Sequence, residues 1–252
     1  MTRAGILAVV ALLLPLGAHA QDKRSGYEDA SPETRAMQDD DTANPGFLWV
    51  QQGEAMWRER VGSAGRSCAE CHGAASSLRG VAARYPAYDA RLGRPLTLEQ
   101  RINQCRTERQ GAPALVQESD ALLAITAFVG LQSRGLPVAV VADGPVRPFF
   151  EVGREIYMTR QGQLNLACSQ CHDALAGKLL AGSPIPQGQA NGYPLYRLEW
   201  QGMGSLFRRI RNCMVGVRAE PFAPDAPELV DLELYLAWRA NGLNVETPAV
   251  RP

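Results

Sequence analysis

A chain of 252 residues, 46% apolar and 21% charged, has enough apolar material for packed cores, and its 26 basic side chains balance 26 acidic ones. That balance excludes a polybasic nucleic-acid or membrane-surface protein. Lysine occurs only at Lys23 and Lys178, so the basic charge is almost wholly arginine, whose planar fork suits oxyanions but whose abundance alone assigns no function.

In chain order, a leader comes first. Arg3, an apolar run from Ile6 to Leu16, and Ala18-His19-Ala20 form a secretory signal peptide over 1–20 with a small-X-small cleavage site. The run is shorter than the ~20 apolar residues a membrane span needs, so the expectation is a soluble periplasmic protein with no membrane span. An uncleaved anchor is the alternative. Residues 21–45, rich in Asp, Glu and Ser, have little to bury and read as a mobile N-terminal arm.

Next comes a unit read as 46–137, and within it Cys68-Ala69-Glu70-Cys71-His72. A second unit, 149–252, carries Cys168-Ser169-Gln170-Cys171-His172. Cys-X-X-Cys-His is the attachment pattern of c-type haem: Cys68 with Cys71, or Cys168 with Cys171, adds to the two porphyrin vinyl groups, and His72 or His172 then meets the iron. Two covalently bound haem c groups are predicted. Paired Cys-X-X-Cys elements also build zinc sites, but export to an oxidising compartment favours haem.

The two units repeat. Gly53, Trp57, Arg60, Cys68, Cys71 and His72 match Gly153, Tyr157, Arg160, Cys168, Cys171 and His172 without a gap. Arg101, Ile102 and Cys105 match Arg209, Ile210 and Cys213 at an offset of 108. Each half reads as helix, haem motif, long loop, a helix bearing a cysteine, and a closing amphipathic helix. The closing helices run to Leu131 before Gly135 and to Trp238 before Gly242. No long alternating β-branched stretch occurs, so the expected fold is all-α, two cytochrome c-like domains related by the repeat. Val138 to Pro148, with Gly144 and Pro145, reads as the linker between them.

A haem iron held by one histidine in an electron carrier takes a second His or a Met as its sixth ligand. The three histidines are His19, in the leader, and His72 and His172, already used, so bis-histidine ligation is excluded. Between Gly73 and Phe150 there is no Met or Lys, which leaves Cys105 for the first iron. Symmetry then points to Cys213 for the second, with Met203 and Met214 also physically possible. A Cys105–Cys213 disulfide and an open high-spin site are the competing readings. Thiolate ligation would lower the haem potential and hold a nucleophilic sulfur, which suits sulfur transfer better than electron shuttling. On a helix, Arg209 lies one turn before Cys213, placed either to clamp a sulfonate-like group or to pair with a haem propionate.

From Asn191-Gly192-Tyr193-Pro194-Leu195-Tyr196-Arg197 through Trp200-Gln201-Gly202-Met203-Gly204-Ser205-Leu206, Arg208-Arg209-Ile210-Arg211-Asn212-Cys213-Met214 and Val217-Arg218-Ala219-Glu220-Pro221, the chain resembles the SoxA family, haem c subunits of the SoxAX complex of thiosulfate oxidation. The resemblance covers most of the chain beyond the leader. It implies an L-cysteine S-thiosulfotransferase that oxidatively joins thiosulfate to a carrier-protein cysteine. It also implies Cys213 as active-site cysteine and haem ligand, often found as a persulfide, and Arg209 as the substrate-binding arginine. The partners it implies are the monohaem cytochrome SoxX and the sulfur carrier SoxYZ. With both motifs intact, the two-haem form is expected. A dihaem electron carrier without sulfur chemistry and a dihaem peroxidase are the alternatives; the first would need a Met-ligated haem, the second an open iron.

Overall fold

A computed structural model describes residues 22–224 and 226–252; the expected signal peptide lies outside them. Among the described residues the helices are α1 (Pro32–Asp39), α2 (Phe47–Arg58), α3 (Cys68–His72), α4 (Leu98–Cys105), α5 (Asp120–Leu131), α6 (Arg147–Met158), α7 (Leu206–Gly216) and α8 (Pro227–Arg239). The strands are β1 (Ala87–Asp89), β2 (Arg94–Leu96), β3 (Leu179–Leu180), β4 (Ser183–Pro184), β5 (Leu195–Arg197), β6 (Gly202–Gly204) and β7 (Ala249–Arg251). The all-α expectation is thus corrected. β1 pairs with β2 and β3 with β4, and β5 lies between antiparallel β6 and parallel β7. With two or three residues apiece, these strands are too short to write an alternating pattern into the sequence.

Crossed helix pairs organise each half: α2 packs on α5, and α6 on α8. The repeated glycines stand where the backbones touch. A Cβ at Gly53 would lie 2.2 Å from the Ala124 carbonyl oxygen, and one at Gly153 1.9 Å from that of Asp231. Around the first crossing, Val50, Trp57, Leu122, Ile125 and Phe128 form a core; around the second, Phe150, Tyr157, Leu232, Leu234 and Tyr235 do. The halves interdigitate. Met203 of β6 is buried in the first core, and Ala83, which precedes β1, in the second.

The segment read as a linker is a packed strap. Val138, Val140 and Ala142 are buried while Ala139 and Val141 between them are exposed, a period of two that puts one edge against the second core. Its Val138 N–H donates to the Leu243 carbonyl at 2.9 Å, and its Val140 N–H to Asn241 Oδ1 at 2.8 Å. The N-terminal segment is docked as well. Gln38 Oε1 accepts from the Val250 N–H at 3.0 Å and from Arg251 at 2.5 Å, and Asn44 donates to the Pro248 carbonyl at 2.8 Å. Its polar residues satisfy a strand edge, a use that composition does not reveal.

Candidate haem and sulfur-binding site

In the first half, Ser67 caps α3 and Glu70 closes the box: the Ser67 N–H donates to Glu70 at 2.7 Å, and the Glu70 N–H to Ser67 Oγ at 3.2 Å. Arg60 pairs with Glu70 and holds its carboxyl down at about 2; the repeated Arg160 has no such partner among the described residues, since Gln170 stands in the place of Glu70. Three residues apart on one helical turn, Cys68 and Cys71 share a face, and His72 follows with its ring centroid 5.7 Å from that of Trp57.

The second motif is held more tightly. His172 Nδ1 lies 2.7 Å from the Pro186 carbonyl, so Nδ1 carries the proton and Nε2 keeps its lone pair free for a metal. The following loop packs on the imidazole, since a Cβ at Gly188 would come within 3.1 Å of it. His72 has no such ring bond among the described residues.

Cys105 ends α4 and Cys213 lies in α7; both are half-buried and free, so no disulfide joins them. Their environments differ in sign. Burial pushes the Cys105 thiol up, and Arg101 and Arg109 do not offset it. Burial also acts upward on Cys213, but its contact with His172 and the charges of Arg209 and Arg197 outweigh it, and the thiol is held below its ordinary value. Cys213 therefore faces His172. Met203 and Met214 are committed to the first and second cores respectively.

These residues fit haem c: paired thiols for the thioether bonds, an imidazole with its distal nitrogen free, and a sulfur opposite it. The fit is more complete around His172 than around His72. When bound, haem c supplies a one-electron acceptor beside the sulfur.

The neighbours of the two cysteines diverge further. Arg101, one turn before Cys105, is consumed: it pairs with Asp89 at 2.8 Å and bonds to Gln104 at 2.5 Å and Tyr85 at 3.3 Å. Arg209, one turn before Cys213, has no ion pair or side-chain hydrogen bond among the described residues. The Tyr193 phenol is pushed up to about 12, chiefly by burial, with Arg209 acting downward and Cys213 upward.

Two supporting residues were given no role by the reading of the sequence. Ser205 caps α7, accepting from the Arg208 N–H at 3.3 Å, and its hydroxyl donates to Glu118 of the first half. Glu118 sits at φ +62°, and no local motif marks it. Tyr193 could have been found, because Tyr85-Pro86-Ala87-Tyr88 and Tyr193-Pro194-Leu195-Tyr196 repeat at the same offset of 108 as the cysteine helices.

A family model described as SoxA/TsdA, cytochrome c domain, matches residues 52–138 and again 152–245. The chain belongs to this family. It is 43% identical over 239 residues to the L-cysteine S-thiosulfotransferase subunit SoxA of Pseudaminobacter salicylatoxidans, covering 94% of this chain and 84% of the relative. It is 42% identical over 242 residues to the SoxA subunit of Rhodovulum sulfidophilum, with the same two coverages of 94% and 84%. The fold is similar to a chain in the crystal structure of SoxXA from P. pantotrophus, with a TM-score of 0.87 at 39% identity, covering 90% of this chain and 86% of that one. As a cytochrome c of the SoxA/TsdA family, the chain carries covalently bound haem c.

Proposed function

We propose that this chain is the SoxA subunit of a periplasmic L-cysteine S-thiosulfotransferase, with two haem c groups and with Cys213 as the sulfur that does the chemistry. Its haem domains span 46–137 and 149–252; Cys68, Cys71 and His72 hold one haem, and Cys168, Cys171 and His172 the other. Cys105 and Cys213 would each supply a sulfur ligand to one of the irons. The observation that carries the reading is a half-buried cysteine with a depressed thiol pKa, facing a carbonyl-anchored histidine, one helical turn from an arginine with no partner.

The chemistry follows from those groups. Arg209 holds the sulfonate end of thiosulfate so that its outer sulfur lies against Cys213. Cys213, whose thiol pKa its neighbours lower, gives up its proton and forms a sulfur–sulfur bond with that outer sulfur; two electrons leave, one at a time, for a cytochrome partner. The thiolate of a carrier cysteine then attacks the same outer sulfur, its own bond to that sulfur forms, the bond to Cys213 breaks, and Cys213 leaves as thiolate. The net change is carrier thiol plus thiosulfate giving carrier S-thiosulfonate, one proton and two electrons. The fold likeness to a chain of SoxXA supports a SoxX-type monohaem partner, and the activity requires a SoxYZ-type carrier.

Mass spectrometry of the Cys213 peptide, under non-reducing conditions before and after thiosulfate, tests the reading. A thiosulfate-dependent mass gain on Cys213 is expected. An unmodified Cys213 in protein that is turning over thiosulfate overturns it.

A further inference from the structure

The hairpins that precede the two cysteine helices are superimposable in register. Ala87, Tyr88 and Asp89 pair with Leu96, Pro95 and Arg94; Leu195, Tyr196 and Arg197 pair with Gly204, Met203 and Gly202. Every position is displaced by the same 108 residues that relate Arg101 to Arg209 and Cys105 to Cys213. Arg197 therefore occupies the place of Asp89. In the first half, this place is within reach of the arginine one turn before the cysteine, because Asp89 Oδ2 lies 2.8 Å from the Arg101 guanidinium. Asp89 is itself fixed there, its other oxygen accepting from the N–H groups of Arg91 at 2.8 Å and Leu92 at 3.0 Å.

The second half keeps the geometry and reverses the charge. Where Asp89 neutralises Arg101, the register puts a second cation, Arg197, at the corresponding position of the second half. Arg197 is aimed by its surroundings: its guanidinium lies 5.4 Å from the centroid of Trp200, and its Nε donates to the exposed Glu199 at 2.9 Å. Its two Nη groups make no hydrogen bond among the described residues. Arg197 is ion-paired with Glu199 through its Nε alone, and Arg209 has no carboxylate partner among the described residues, so donors of both remain for an anion with several oxygens.

We propose that Arg197 is a second substrate-binding residue, and that Arg197 and Arg209 together form a two-arginine clamp for the sulfonate oxygens of a doubly charged, sulfur-terminated oxyanion. This rests on Cys213 and Arg209 forming the thiosulfate site. The clamp makes the site selective for dianions: sulfate competes with thiosulfate, whereas a singly charged anion of similar size does so poorly. The first half cannot bind such an anion, because Asp89 already fills the equivalent position.

The test is the steady-state rate of the haem-loaded complex with its carrier, over a range of thiosulfate concentrations, for Arg197→Gln, Arg197→Asp and Arg209→Gln. Arg197→Gln is expected to raise KM for thiosulfate about 10- to 100-fold, the worth of a charge-assisted bond pair, with the optical spectrum of the bound haem unchanged. Arg197→Asp should go further by pairing with Arg209 as Asp89 pairs with Arg101. A KM within twofold of wild type in Arg197→Gln, when Arg209→Gln raises it, overturns the clamp and leaves the site intact. If neither variant changes KM, the site reading fails and the clamp with it. Should Arg197→Gln not load haem, Arg197→Lys, which keeps the charge and the stem on Trp200, decides the matter: an intermediate rise in KM supports the clamp, and none refutes it.

Discussion

Two halves of this chain share a skeleton and differ in what their cysteine helices are allowed to do. α4 is closed on itself: Thr97 caps it, Gln100 returns the bond in a capping box, and Asp89 neutralises Arg101. In α7 the equivalent of Gln100 is Arg208, whose guanidinium lies 4.3 Å from the centroid of Trp200 instead, and the missing acceptor is supplied from the other half by Glu118. The internal satisfactions of α4 have been opened in α7, leaving positive charge around Cys213. A helix closed on itself and one left with unpaired positive charge thus differ at the capping and pairing positions, while both keep the cysteine.

The sharpest way to break that comparison is to remove each cysteine. Cys213→Ser is expected to lower turnover at least ~1,000-fold, the scale of losing a covalent nucleophile, with haem still attached; Cys105→Ser is expected to leave turnover measurable. Equal losses in carrier-dependent thiosulfate turnover would mean the halves are not functionally distinct. Next in size is a change that treats the halves alike. Gly53→Ala and Gly153→Ala each force a methyl into a carbonyl oxygen and should each cost roughly 3 kcal/mol in denaturant melts, the upper end of overpacking. Smaller still is Glu118→Ala, which removes the borrowed acceptor of α7 and is expected to cost about 1 kcal/mol, the worth of a cap, and to slow turnover without changing the stability of α4.

The smallest expected effect concerns the seam between the halves, where Glu99, Glu118 and Glu233 line one cavity. Burial raises Glu233 well above the usual carboxylate range, reinforced by Glu99 and Glu118, and burial raises Asp231 to about 6. Both are neutral in the fold where the unfolded chain would already be ionised. Their contribution is therefore full below the unfolded carboxylate pKa and is lost as pH rises through the folded values. Glu233→Gln should raise the melting temperature at neutral and alkaline pH and leave it unchanged in acid; the opposite slope would mean the carboxylate is compensated in the native seam.

Much of this was legible in the sequence. The haem motifs, the repeat, the closing helices and the exhaustion of histidine ligands follow from residue types and spacing, because helical faces and haem attachment have fixed periods. The sheets were not legible, since strands of two or three residues leave no alternation. Neither was the docking of the first segment on Val250 and Arg251, because its polar side chains bond to a distant strand. Glu118 was invisible for the same reason: what it caps lies 87 residues away. Arg197 was visible as part of a family motif but meaningless until the hairpin register set it against Asp89.

The docking of α1 and β5 on β7 sets an order of events. The strand that both contact is formed by residues 249–251, which lie after both haem motifs in the chain. The first helix has this strand to rest on only after residues 249–251 have been made. Both Cys-X-X-Cys-His segments emerge before that closure, so the cysteines can be offered to the attachment machinery while the chain around them is still open.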